Sequence, residues 1–127
     1  MSERKNTNLV KDFDDLIVYK KAYALSLEIH RFSLDLPKFE QYALGEQVRR
    51  ASKSICVNIA EGFGKQRASS PEFKRFLSIA IGSSDEMKVW LSYCRDLAYL
   101  EDARFIEWRK QYVVIARMLN GLRDKWK

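Results

Sequence analysis

The chain carries one histidine, His30, with Glu28 and Arg31 close by. A di-iron bundle needs Glu-x-x-His on two helices, and a single histidine cannot supply that. The residue three before His30 is Leu27, and no Arg lies four to seven residues upstream to make the Arg-x4-6-His pair of helical ribonucleases. His30 therefore reads as an exposed residue without a chemical role. No Cys/His cluster has zinc spacing, and no phosphate-cradling glycine loop is present. Gly62-Phe63-Gly64 lacks a preceding strand and reads as a helix end capped by a left-handed glycine. Cys56 and Cys94 fall inside apolar helical patterns and read as buried thiols. Asp14-Asp15 and Glu101-Asp102 read as helix-start acids, and Asp85-Glu86 as surface charge. No metal or cofactor is expected, and no enzyme activity.

Two sets of polar residues stand out. Asn58 and Ser84 occupy positions in the apolar rhythm of their helices, and Glu61 lies three residues after Asn58. Burying an amide or carboxylate is costly unless it is hydrogen-bonded or paired. Asn58, Glu61 and Ser84 are thus expected to form a buried polar network that fixes packing, with a small ligand or catalytic site as the alternative. The second set is basic. Between Arg49 and Arg75 stand Arg49, Arg50, Lys53, Lys65, Arg67, Lys74 and Arg75, against the acids Glu61 and Glu72 alone. Arg49, Arg50 and Lys53 share one side of a helix, while Lys65, Arg67, Lys74 and Arg75 surround the following loop. An excess of this kind attracts polyanions, RNA or DNA above all; the bland alternative is a solvated helix face.

The elements that must position these residues are helical. The 127 residues are 46% hydrophobic and 31% charged, with a net charge of +6, five Gly and two Pro. So few turn formers fit badly with a sandwich or barrel. No apolar run reaches membrane-span length and no secretory signal precedes the domain, so a cytoplasmic protein is expected. After a polar arm over residues 1–12, four segments repeat apolar residues at alternating steps of three and four. The first is Val18, Ala22, Leu25, Ile29, Phe32, Leu36, stopped by Pro37; the second is Leu44, Val48, Ala51, Ile55, Asn58, Gly62. The third, Phe73 to Ala98, is opened by Ser70 as cap or by a Ser69/Glu72 capping box. The fourth, with Asp102 as its cap, is Phe105, Trp108, Tyr112, Ile115, Leu119, Leu122, Trp126. The expectation is an all-α, up-down-up-down antiparallel four-helix bundle over residues 13–127.

Several helices carry a second apolar stripe: Leu16, Tyr19, Tyr23 and Leu27; Cys56, Ile59 and Phe63; Phe76, Ile79, Trp90 and Leu97. A single small bundle cannot bury them all, so Leu16, Tyr19, Tyr23, Phe63, Phe76 and Trp90 are expected at a contact between subunits.

The run Arg49-Arg50-Ala51-Ser52-Lys53-Ser54-Ile55-Cys56-Val57-Asn58-Ile59-Ala60-Glu61-Gly62 resembles a signature of the bacterial four-helix proteins encoded in 23S rRNA intervening sequences, the S23 ribosomal protein family. Asp15–Ala22 and Phe76–Ser83 extend the resemblance, with Tyr19 where Trp is common and Cys56 where Pro is common. The resemblance implies a homopentameric, barrel-like ring. It also implies a relation to the accessory variability determinant of diversity-generating retroelements, a basic pentamer that binds nucleic acid and a reverse transcriptase. The functional expectation is a non-enzymatic homo-oligomer binding RNA or DNA through the seven bases. The alternative is a protein-binding scaffold, for example an accessory subunit of a reverse transcriptase.

Overall fold

The computed structural model describes residues 10–65 and 70–125. Four helices carry the fold: α1 Ile17–Ser33, α2 Leu44–Lys65, α3 Ser70–Asp96 and α4 Asp102–Lys125. No strand occurs among the described residues. A short 3-10 turn, Phe13–Asp15, leads into α1, fixed by reciprocal hydrogen bonds between the ends of Asp12 and Asp15. A second, Lys38–Glu40, begins the α1–α2 corner.

The contacts give the direction of each neighbouring pair. His30 meets Lys53 and Ser33 meets Arg49, so α1 and α2 run oppositely. Arg50 meets Glu86 and Ser54 meets Ser83, while Arg95 lies over Phe105 and Arg123 reaches Ser78. The α2–α3 and α3–α4 pairs are therefore antiparallel too. Trp108 donates from α4 to Glu28 of α1 at 3.1 Å and closes the cycle.

The core follows the three-four rhythm. Val18, Ala22, Leu25 and Ile29 enter from α1, and Phe73, Leu77, Ala80, Met87, Leu91 and Cys94 from α3. Phe105, Trp108, Tyr112, Ile115 and Leu119 complete it from α4. On α2 the rhythm departs from expectation after Ile55. The core takes Ile59, fully buried, and leaves Asn58 half-buried toward α3. A straight helix of 3.6 residues per turn drifts from a strict seven-residue repeat, and a step of four here restores an apolar side chain to the seam. Cys56 and Ile59, expected on an outer stripe, are thus core residues.

The element boundaries also differ. The α1 helix ends at Ser33, and residues 34–36 continue with bonds spaced three residues apart up to Pro37. Gly62 and Gly64 do not cap α2, which continues helically through Lys65 with no glycine at positive φ. Gly62 instead permits close approach to α3: a Cβ there would meet the Phe76 Cβ at 3.0 Å and the Phe73 carbonyl oxygen at 3.4 Å. Ser70 is the first residue of α3 and not its cap; its hydroxyl is buried without a partner. Ser69, the other expected capping residue, lies outside the described residues, as do Arg67, Trp126 and most of the N-terminal arm.

Asp102 likewise opens α4 as its first helical residue. Ala98, expected in the α3 stripe, sits past the helix end at φ 67°. There the Ala98 and Tyr99 amides donate back to the Arg95 and Cys94 carbonyls, satisfying groups that a helix end leaves open.

Candidate nucleic-acid interface

Of the seven expected bases, Arg67 lies outside the described residues, and the other six do not form one surface. Arg49 is half-buried and turned inward. Its guanidinium donates to Ser33 Oγ at 2.8 Å, to the Gln41 carbonyl at 2.5 Å and to Gln41 Oε1 at 3.4 Å. The Gln41 amide in turn donates to the Ser33 and Leu36 carbonyls, both at 2.9 Å, capping the end of α1. Gly45 leaves room for this arrangement, since a Cβ there would lie 3.1 Å from Arg49 Nη1. Arg49, expected to face a nucleic acid, is thus engaged within the chain. Planar five-donor geometry makes this arginine the staple of the α1–α2 corner.

Arg50 is exposed but ion-paired with Glu86 across α2 and α3, and Gln47 accepts from the same guanidinium at 2.9 Å. Arg75 pairs with Glu72 at 3.1 Å and lies over the Phe76 ring. Their hydrogen bond pushes the Arg75 pKa up and pulls the Glu72 carboxyl down, so each partner holds the other ionised. Lys53, Lys65 and Lys74 make no ion pair with a carboxylate among the described residues. Lys53 lies on the outer side of α2, while Lys65 and Lys74 lie at the end of the bundle where α2 gives way to α3. That end also holds Glu61, which is exposed, so the local field is mixed.

The polar network is smaller than expected and differently composed. Asn58 donates to the Ser54 carbonyl at 2.8 Å and to Ser54 Oγ at 3.1 Å; Ser54 Oγ meets Ser83 Oγ at 2.9 Å. These three residues bridge α2 and α3. Glu61 takes no part, because its exposure lets water solvate the carboxylate. Ser84 is buried but donates to Ala80 within its own helix at 3.1 Å. Buried serines that bond their own helix in this way need no partner across the bundle.

The residues expected at a subunit contact differ in exposure within the single chain. Tyr23 is exposed, whereas Leu16, Tyr19 and Trp90 pack against the bundle's own core. Tyr19 lies edge-on to Phe13 at 4.9 Å, and Trp90 donates to Glu86 at 2.9 Å. Phe63 and Phe76 are half-buried. What lies open is the outward face of α3, with Ile79, Val89, Tyr93 and Leu97 at helical spacing. Separately, Phe39 and Tyr42 project from the α1–α2 corner, 76% and 89% exposed.

The sequence reading missed the Arg49–Gln41 staple, the Trp108–Glu28 tie and the bond from Tyr99 Oη to Glu40 at 3.0 Å. Each joins residues on different segments, where no local spacing points to the pair. His30, expected to be exposed, is half-buried, and Lys53 Nζ stands 2.9 Å from its Nδ1. The cysteines are free and buried. Burial pushes the Cys56 thiol up to about 11 and the Cys94 thiol up to about 12, which keeps both protonated and unreactive at neutral pH. Among the described residues no three metal-ligating side chains cluster, and no helix is long and apolar enough to cross a membrane.

Fold and surface together define a basic four-helix protein with unpartnered apolar faces. Residues 14–121 match the model of the 23S rRNA-intervening sequence protein family, and the chain belongs to that family. It is similar in structure to a protein of unknown function from the S23 ribosomal protein family of Bacteroides thetaiotaomicron. That likeness has a TM-score of 0.76 at 21% identity and covers 85% of this chain and 96% of the other. No curated protein matches the chain.

Proposed function

We propose that the protein is a non-enzymatic homo-oligomer, a pentameric ring, that binds RNA or DNA through a basic surface repeated by its symmetry. The observation that carries this reading is the distribution of charge. Arg49, Arg50 and Arg75 are engaged within the chain, but Lys53, Lys65 and Lys74 keep ammonium groups with no carboxylate partner among the described residues. Phosphate binding without sequence preference needs only such groups, and each added subunit multiplies them. Assembly is supported by the outward α3 face, whose Ile79, Val89, Tyr93 and Leu97 a partner copy would cover. The ring and its subunit number come from the resemblance to the family.

The test is charge reversal at these three lysines. Lys53→Glu, Lys65→Glu and Lys74→Glu together should abolish binding of a labelled oligonucleotide while leaving helical circular dichroism and the mass by light scattering unchanged. Undiminished binding would refute the surface, and a mass of one 15.0 kDa chain would refute the ring.

A second reading is favoured by Phe39 and Tyr42, which lie apart from the α3 face. Two exposed aromatics on one corner suit a protein partner, such as a reverse transcriptase to which this chain would be an accessory subunit. A partner that stays bound after nuclease treatment and is lost in Phe39→Ala/Tyr42→Ala would support it.

A further inference from the structure

His30 and Lys53 face each other across the outer side of α1 and α2, with Lys53 Nζ 2.9 Å from His30 Nδ1. An ammonium group only donates, so Nδ1 is the acceptor and the ring carries its proton on Nε2. The charged groups acting on the ring are all cationic: Lys53 and Arg49 from α2, and Arg31 from its own helix. Glu28, close by on α1, is directed to the other side of the bundle, where it accepts from Trp108. Burial, and then these three charges, push His30 below the ordinary imidazole range. Arg49 is fixed behind the group by Ser33 and Gln41, while Lys53 and Arg31 are exposed.

Such a grouping is self-repulsive and has no counter-charge of its own. When His30 takes a proton, Nδ1–H and the Lys53 ammonium become two donors that cannot bond each other. Both then need one acceptor between them, and a phosphate offers several oxygens to a site of this shape. We propose that His30 and Lys53 form a phosphate-binding site that fills as the imidazole becomes protonated. The site makes a functional group of a histidine that its sequence context leaves without a role. It shares Lys53 with the surface described above and rests on that reading where the phosphate belongs to a polynucleotide.

Because His30 is the only histidine, its ring signals in an NMR pH titration of the full chain are unambiguous. The titration is run in sodium chloride, in sodium phosphate of equal ionic strength, and with a thymidine oligonucleotide. The proposal expects phosphate to favour the protonated ring by about three- to tenfold, read as the matching rise of the midpoint over chloride. Lys53→Ala should raise the midpoint in chloride and abolish its dependence on phosphate.

Equal midpoints in chloride and phosphate overturn the site, as does a phosphate effect that survives Lys53→Ala. A response to inorganic phosphate without one to the oligonucleotide upholds the site and assigns it to free phosphate. Oligonucleotide affinity, followed by fluorescence anisotropy, reports separately on the wider surface. Salt-dependent binding with an unresponsive His30 overturns this site alone.

Discussion

Replacing Arg49 separates the two roles available to it. Its guanidinium makes two short hydrogen bonds, to Ser33 Oγ at 2.8 Å and to the Gln41 carbonyl at 2.5 Å, and a longer one at 3.4 Å. Hydrogen bonds from a charged donor contribute about 1.5–3 kcal/mol each. Counting the two short bonds, and discounting because the side chain is only half-buried, Arg49→Ala should cost about 2–4 kcal/mol. For a domain of this size that lowers Tm by roughly 8–15 °C. Arg49→Lys restores charge without the fork and should recover no more than about half of the loss. Urea denaturation followed by circular dichroism gives the stability, and oligonucleotide titration in parallel gives the binding. Melting should fall while the salt dependence of binding stays as in the parent. A variant that melts like the parent but loses binding would show that Arg49 faces phosphate and would refute the staple.

Three further substitutions probe local geometry by the same denaturation assay. Ala98→Gly should stabilise by about 0.5–1 kcal/mol, since Ala98 holds φ 67°, a conformation that glycine adopts without strain; a loss would refute that geometry. Gly62→Ala should destabilise by about 1–3 kcal/mol, because the added methyl meets the Phe76 Cβ at 3.0 Å; a neutral result would mean that α2 and α3 are not so close. Tyr112→Phe should be neutral or stabilising by about 1 kcal/mol, because the buried Tyr112 hydroxyl has no hydrogen-bond partner; a clear loss would mean that the hydroxyl is bonded.

The helices and most of the core were legible because they rest on periodicity. All five expected core positions of α4 from Phe105 to Leu119 are buried, as are those of α3 from Phe73 to Cys94. Periodicity failed where the strict repeat outran the true helical turn, as at Asn58 and Ile59. Gly62 is buried as the rhythm placed it, and the reading that failed there was the helix cap, because its role is set by the distance to a neighbouring helix. The basic residues were legible by position but not by availability. Nothing in the spacing of Arg49, Arg50 and Lys53 says that the first is turned toward Ser33 and Gln41, the second toward Glu86 and the third toward His30. Those partners lie on other segments, and only the antiparallel packing brings them to the same level. Glu61 shows the converse, since three-residue spacing from Asn58 placed it near the seam while its actual azimuth is solvent-facing.

The central claim is that lysines without a carboxylate partner among the described residues bind phosphates, and salt tests it most directly. Three such contacts on a single strand predict that the logarithm of the association constant falls with the logarithm of salt at a slope of about −2 per engaged subunit. The slope should vanish when Lys53, Lys65 and Lys74 are all replaced by Glu. An affinity that barely changes with salt, or a slope unaltered in the triple variant, would contradict the account.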